Sequence, residues 1–434
     1  MKNTTIIALA ILLLTVPFSC SQSGKEEVTK KIIDVAASVG GGRIVDLEEV
    51  ANDIRYIPLE TSSLSLVGDL RNNTFEKDLI YFQDRTDSVI IFDKDGQFLR
   101  KFCKKGRGPQ EYPYAVELFV EPNSGEIIVN SVDDSFRVLR YDIFGKLVSK
   151  FITPVPTKFR TVHPRLLEGN TYVASINTYR DKPEFSAVVY DSLGNTKLLI
   201  PIPKLAPYKM FKSIGDKVAS GSMVMVFKEG APMSAINKMV PNPDEPFLYK
   251  FGNNMRLVYD SNDTILSIGK NLQLDTPYIF NYGKYRDNSM DRSSISMEKG
   301  KHISLSGRRK VMESESFLFL QFALRGYAHE PYQKPRAGGN GFYPLNDSYA
   351  IFNKENGKFS FLNQTEKGVL GFRDNLMGGP PFWPTYVSND NSLVMVISAA
   401  SLIEYASNHT VSPKLAEIVK NLNENNNPVV VIAR

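Results

Sequence analysis

Imidazole supplies most of the acid–base groups and metal ligands available near neutral pH, so the four histidines come first. They stand at positions 163, 302, 329 and 409. No two lie within five residues of each other, so the chain has none of the short ligand spacings of a zinc helix. Any metal site would have to be gathered by the fold from distant residues. A Gly-x-Ser-x-Gly nucleophile elbow is absent as well. Lys105-Gly106-Arg107-Gly108-Pro109 has the outline of a phosphate cradle but lacks the Gly-Lys-Ser/Thr ending, and Pro109 removes a backbone donor. It reads as a tight turn between structural units. None of these residues calls for a cofactor or a metal.

Two loops are better candidates for binding. Gly378-Gly379-Pro380-Pro381-Phe382-Trp383-Pro384 holds the single Trp, stiffened by three prolines and loosened by two glycines. Two readings stand side by side: a plug that locks neighbouring strands, or a rigid display of Phe382 and Trp383 that stacks sugar rings or peptide side chains. Pro335-Arg336-Ala337-Gly338-Gly339-Asn340-Gly341-Phe342-Tyr343 is a second Gly-rich aromatic loop, with Arg336 as its cation.

The N-terminus reads as an address. Lys2 precedes an apolar run over residues 6–16, shorter than the roughly 20 residues that span a bilayer. Val16-Pro17-Phe18-Ser19-Cys20-Ser21 ends it, with a small residue directly before a cysteine. The end of an export signal is where a lipid thioether would form, so Cys20 is the expected lipidation site. That leaves Cys103 without a disulfide partner, and its place in Leu99-Arg100-Lys101-Phe102-Cys103 suggests a small core residue. Residues 21–42 are polar and suit a flexible tether of about 25 Å. The expected division is a signal at 1–20, a tether at 21–42 and one domain at 43–434.

Composition fixes the class of that domain. With 42% hydrophobic residues the chain can bury a core, which excludes disorder. Its net charge of +5 arises from 52 basic and 47 acidic residues that are intermixed, without the basic clusters of a nucleic-acid binder. The 20 Tyr and 26 Phe, with 29 Gly and 25 Pro, point to many short strands joined by turns.

Internal repeats identify the arrangement. Val89-Ile90-Ile91-Phe92-Asp93-Lys94-Asp95-Gly96, Val138-Leu139-Arg140-Tyr141-Asp142-Ile143-Phe144-Gly145 and Val188-Val189-Tyr190-Asp191-Ser192-Leu193-Gly194 share one pattern. A β run meets an aromatic-Asp pair, two residues and a Gly, and the Gly recurs every 49 residues. Such a unit is a hairpin whose Asp caps the turn and whose Gly supplies positive φ. Looser copies follow near Asp260 and Asn353. A period of 40–50 residues with several strands per unit is that of propeller blades. The expected fold is therefore all-β: six four-stranded antiparallel blades near 64–105, 113–155, 158–204, 218–281, 302–363 and 366–406. The last is closed by N-terminal strands near residues 43–47 and 54–59 and a C-terminal strand at 428–433. A short helix opening at Ser412-Pro413 is expected to pack on it. In such a ring Arg107 and Tyr112 fall at the mouth of the central channel, where arginine can meet a carboxylate.

The chain resembles the six-bladed β-propeller lipoproteins of Gram-negative gut-type bacteria, similar overall to NHL and TolB-like propellers. The residues that carry the resemblance are Tyr56-Ile57-Pro58-Leu59-Glu60-Thr61, Gly106-Arg107-Gly108-Pro109-Gln110-Glu111-Tyr112, the 378–384 loop and Asn427-Pro428-Val429-Val430-Val431. The acidic pair expected before the last Gly-Gly is represented by Asp374 and Asn375. The resemblance implies a fold and an outer-membrane location in the cell envelope. The expected function is a membrane-anchored binding or scaffold module, monomeric, holding a protein partner or a glycan and no nucleic acid. The rival reading is a propeller enzyme, a lactonase-like metal hydrolase or glycan-processing protein, with acids converging in the central channel.

Overall fold

The computed structural model describes residues 30–434 apart from 133–135, 155–160, 177–184, 203–216, 221–222, 228–235, 242–245, 260–261, 287–302, 308, 336–341 and 346. Where a blade lies between two neighbours, its strands are buried on both faces and read as continuous apolar runs. Blade 1 (residues 70–103) illustrates this. Ile80, Phe82, Ile90 and Phe92 pack toward the last blade, while Tyr81, Val89 and Ile91 pack toward the second. Its outermost strand, Phe98–Cys103, alternates between half-buried and exposed. Cys103 falls on the exposed side, so it is a surface residue and not the core residue expected.

Blades 2, 3, 4 and 5 occupy residues 115–152, 161–201, 247–281 and 304–361. Blade 6 joins the chain ends. Ile54–Pro58 pairs with Val429–Ala433, which pairs with Leu393–Ile397, and Tyr386–Val387 completes the sheet. The fold is a six-bladed β-propeller of four-stranded antiparallel sheets.

The repeated Asp-x-x-Gly turns behave as their chemistry requires. Asp93 Oδ1 accepts from the N–H groups of Asp95 and Gln97 (both 2.9 Å), and Asp142 Oδ1 from Phe144 and Lys146 (both 2.8 Å). Gly96 and Gly145 take φ of 85° and 78°, a region costly for residues with a Cβ.

Alternating strand direction sends successive connections to opposite faces of the ring. One face, the turn face, carries only short links such as 77–78, 94–97, 169–170, 252–253 and 354–358. The other, the loop face, carries the described connections 104–114, 362–385 and 398–428, and the strand ends Pro201, Asn281 and Ala323 open onto it as well.

The additions differ from expectation in three places. A separate three-stranded sheet, Lys217–Ser220, Met223–Phe227 and Ile236–Pro241, sits in the connection between blades 3 and 4, so blade 4 begins at Phe247 rather than near 218. Lys31–Asp34, expected in the tether, adds a parallel strand to the outer edge of blade 4 at Leu274–Asn281. Residues 43–47, expected to form a strand, contribute only the isolated bridges Arg43–Leu362 and Asp46–Arg373. The expected helix is present as α2, Pro413–Lys420, with Ser412 Oγ accepting from the Leu415 N–H (3.2 Å) and Leu415 buried in the core of blade 6. Helix α1, Ala399–Asn408, precedes it.

Because Val431 is fully buried between Tyr56 and Met395, Val431→Asp should destabilise the fold by about 4 kcal/mol or more. Leu99→Asp on the exposed outer edge of blade 1 should change stability by less than about 0.5 kcal/mol. Urea unfolding of both variants measures the difference.

Candidate functional site

The inner strand of each blade faces the ring axis, and these strands bring together side chains from sequence positions far apart. Two contacts cross the axis between non-adjacent blades. Lys250 Nζ of blade 4 stands 3.8 Å from Glu121 Oε1 of blade 2, and Arg309, leading into blade 5, donates to Asn72 Oδ1 of blade 1 (3.0 Å). Adjacent blades are laced as well. Arg165 pairs with Glu117, His163 Nδ1 lies 3.8 Å from the other Glu117 oxygen, and Asn72 Nδ2 donates to the Leu118 carbonyl (2.7 Å). The axis is thus crossed by polar side chains.

Three carboxylates show what that environment does to charge. Glu313 is buried between blades 4 and 5, where it meets Arg256 Nε (3.1 Å), Lys354 Nζ (2.8 Å) and the hydroxyls of Tyr249 and Tyr278 (both 2.9 Å). Burial works against its charge, but the two cations outweigh it and hold the carboxyl below its ordinary range. Glu76, at the turn-face end of blade 1, accepts from the Tyr386 hydroxyl (2.5 Å) and the Asn389 N–H (3.1 Å). Burial dominates over those two bonds and pushes it from 4.5 up to about 7. Glu117 lies at the opposite extreme: burial opposes its charge, yet Arg165 and His163 bring it down to about 2. Among the described residues, no three His, Cys, Asp or Glu side chains converge as a metal-binding group.

The residues singled out from the sequence fall mostly on the loop face. Arg107 is exposed in the 104–114 connection. That loop is no phosphate cradle, since its own Glu111 carboxylate accepts from the Gly108 N–H (2.7 Å). Tyr112 is a correction: it is buried, its hydroxyl donating to the Asp87 carbonyl (3.0 Å) and its ring set edge-on to Tyr141. Phe382 is also buried and is not displayed, because its backbone exchanges hydrogen bonds with Phe372 (2.9 and 2.7 Å) and its ring joins the core of blade 6. Trp383 stacks on Tyr349 at 4.0 Å and is partly buried, so the 378–384 segment is mainly a plug. Asp374 belongs to the same plug, accepting from the Tyr56 hydroxyl (2.8 Å) and the Gly379 N–H (2.9 Å). Cys20 and Arg336 lie outside the described residues. His163, which reads as a loop residue, sits in the inner strand Thr161–Glu168 at φ 52°.

The axial residues escape sequence reading because each comes from a different strand and no local motif marks them. The basic run Gly307-Arg308-Arg309-Lys310 ahead of an inner strand was the one visible signal.

Two outcomes follow from the carboxylates. Glu313→Ala leaves Arg256 and Lys354 buried without a counter-charge and should cost about 3–5 kcal/mol in urea unfolding. Folded Glu76 keeps its proton up to about pH 7 but releases it near 4.5 when unfolded. The folded state therefore holds more protons in that window, and this group's contribution to stability falls as pH rises from 4.5 to 7. Glu76→Gln should remove that share of the slope, read as a flatter dependence of the urea midpoint on pH than in the parent.

Comparison with known proteins agrees with the fold. A solved structure of a candidate exported protein from Bacteroides fragilis matches with a TM-score of 0.60 and 18% identity, over 93% of this chain and 99% of the other. A member of the DUF4221 family from Bacteroides vulgatus covers 88% of this chain and 96% of its own at 13% identity, with a TM-score of 0.43. The Drosophila melanogaster protein "brain tumor" is 26% identical over 124 residues, 28% of this chain and only 11% of its own length. A family model described as a domain of unknown function, DUF4934, matches residues 30–434, and the chain belongs to that family.

Proposed function

We propose that this chain is an exported, monomeric lipoprotein of the Gram-negative cell envelope, anchored in the outer membrane through Cys20. Its loop face holds a protein or glycan partner, while the turn face and the axis are structural. The observation that carries this reading is the division of the connections: short turns between the strands of each blade on one face, and long described connections such as 104–114, 362–385 and 398–428 on the other. Binding residues concentrate in loops held by a rigid scaffold. Arg107 and Trp383 belong to connections of that face and are its candidate contacts, with Tyr112 and Phe382 supporting their loops from beneath; Arg336 is a further candidate from the sequence alone.

The route of the tether supports the same orientation. Leu274–Asn281 runs from the turn face to the loop face, and Lys31–Asp34 runs parallel to it. Lys31 therefore stands at the turn-face end of the rim. An anchor at Cys20 then turns the loop face away from the bilayer. No helix among the described residues is long and apolar enough to cross a membrane.

Metabolic labelling with a radioactive or clickable fatty acid should mark the full chain and fail to mark Cys20→Ser, which should also leave the membrane fraction. For the binding role, immobilised mature protein should retain a protein or polysaccharide from an envelope extract. Arg107→Glu on the loop face should weaken that retention and Lys94→Glu on the turn face should leave it unchanged. Retention that is absent, or equal in both variants, contradicts the reading.

A further inference from the structure

On the loop face, between blades 4 and 5, three segments line an open cleft of about 580 Å³, within the roughly 300–1,000 Å³ usual for small-ligand sites. Its walls are Val39 and Gly40 from the N-terminal segment, Lys284 and Tyr285 following blade 4, and Gly326–His329 within blade 5. The two tyrosines meet edge-to-face at 4.9 Å and form an aromatic corner. Lys284 Nζ hangs 5.3 Å from the centre of the Tyr285 ring. Both wall turns are fixed by backbone bonds, Tyr285 N–H to the Tyr282 carbonyl and Tyr327 N–H to the Leu324 carbonyl (both 3.0 Å), so the corner is built before a ligand arrives.

The polar groups give the cleft its chemistry. Lys284 and the two tyrosines border the opening, while both ring nitrogens of His329 and Asn363 Oδ1 are shut off from solvent behind it. The His329 and Asn363 side chains abut the Cα of Gly42, where any larger residue would run into them. The Lys284 ammonium offers three donors, and the Tyr285 hydroxyl offers a donor and an acceptor. A carboxylate or phosphate would use only the donors. A purely apolar ligand would leave all of them unanswered. Neighbouring hydroxyls on a sugar ring donate and accept together, and the apolar face of that ring covers a tyrosine.

We propose that this cleft binds a pyranose saccharide, its ring packed on the Tyr285–Tyr327 corner and its hydroxyls bonded by Lys284 and Tyr285. The proposal rests on the reading of the chain as a binding module and names the ligand class and place. Val39 and Gly40 are part of the site, so the N-terminal segment completes the wall.

Saturation-transfer NMR on the mature protein tests it. The probes are free glucose, galactose, mannose, N-acetylglucosamine, glucuronic acid and disaccharides of each. At least one should show transfer from ring protons. Tyr327→Ala should weaken its affinity by about tenfold, the loss of one aromatic stack, and Tyr327→Phe should retain it. Lys284→Ala changes an exposed side chain, cannot unfold the protein, and should weaken binding by a few-fold. Circular dichroism melting confirms that each variant is folded. No transfer from any probe overturns the saccharide. Transfer that survives unchanged in folded Tyr327→Ala and Lys284→Ala overturns the site. If saccharide binding fails while Arg107-dependent retention persists, the ligand class falls and the binding module stands; if both fail, the module reading falls with it.

Discussion

A propeller depends on its first and last strands finding each other. Here Ile54–Pro58 and Val429–Ala433 meet across almost the whole chain and become the two outer strands of one blade. An open ring would present two unpaired sheet edges and expose the apolar faces of blades 1 and 5. The antiparallel hairpins within each blade set strand direction, and with it the face on which each connection emerges. The separation of a short-turn face from a long-loop face follows from that alternation, and closure holds the blades that carry it in one ring. Such a distant contact carries a large loop-closure cost, so the local hairpins are the natural early structures and closure the late one.

The axis is the second constraint. Six inner strands converge there, and their inward side chains leave water without leaving polarity. A charge in that setting persists only where partners compensate for lost solvation. Glu313 has two cations and two tyrosine hydroxyls and stays ionised. Glu76 has a hydroxyl and a backbone N–H, with burial prevailing, and holds a proton toward neutrality. The same residue type behaves in opposite ways a few strands apart because of the number of cations within reach. Lys250 and Arg309 reach across to non-adjacent blades and tie the ring internally.

Much of the fold was legible in the sequence, because turn chemistry is local. The Asp93, Asp142 and Asp191 side chains cap turns two to four residues away, so spacing alone located three blades. Where the reading failed, the deciding contact was distant. Tyr112 and Phe382 sit in Gly/Pro-rich loops that suggest display, yet their partners Asp87 and Phe372 draw them inward. Cys103 occupies an apolar stretch, but an outermost strand exposes every other residue. Lys31–Asp34 looks like tether because a strand added to an existing edge needs little hydrophobic pattern of its own. Neither the axial network nor the Tyr285–Tyr327 cleft has a local signature, since each is assembled from segments tens to hundreds of residues apart.

What unites these features is a claim about faces: one side of the ring meets a partner and the other does not. Site-specific photo-crosslinking in living cells addresses it directly, with the crosslinker placed at Arg107 on the loop face or at Lys94 on the turn face of the full-length chain. A defined crosslinked species from position 107 and none from position 94 is the predicted result. Crosslinks from position 94 alone, or equally from both, would contradict the account.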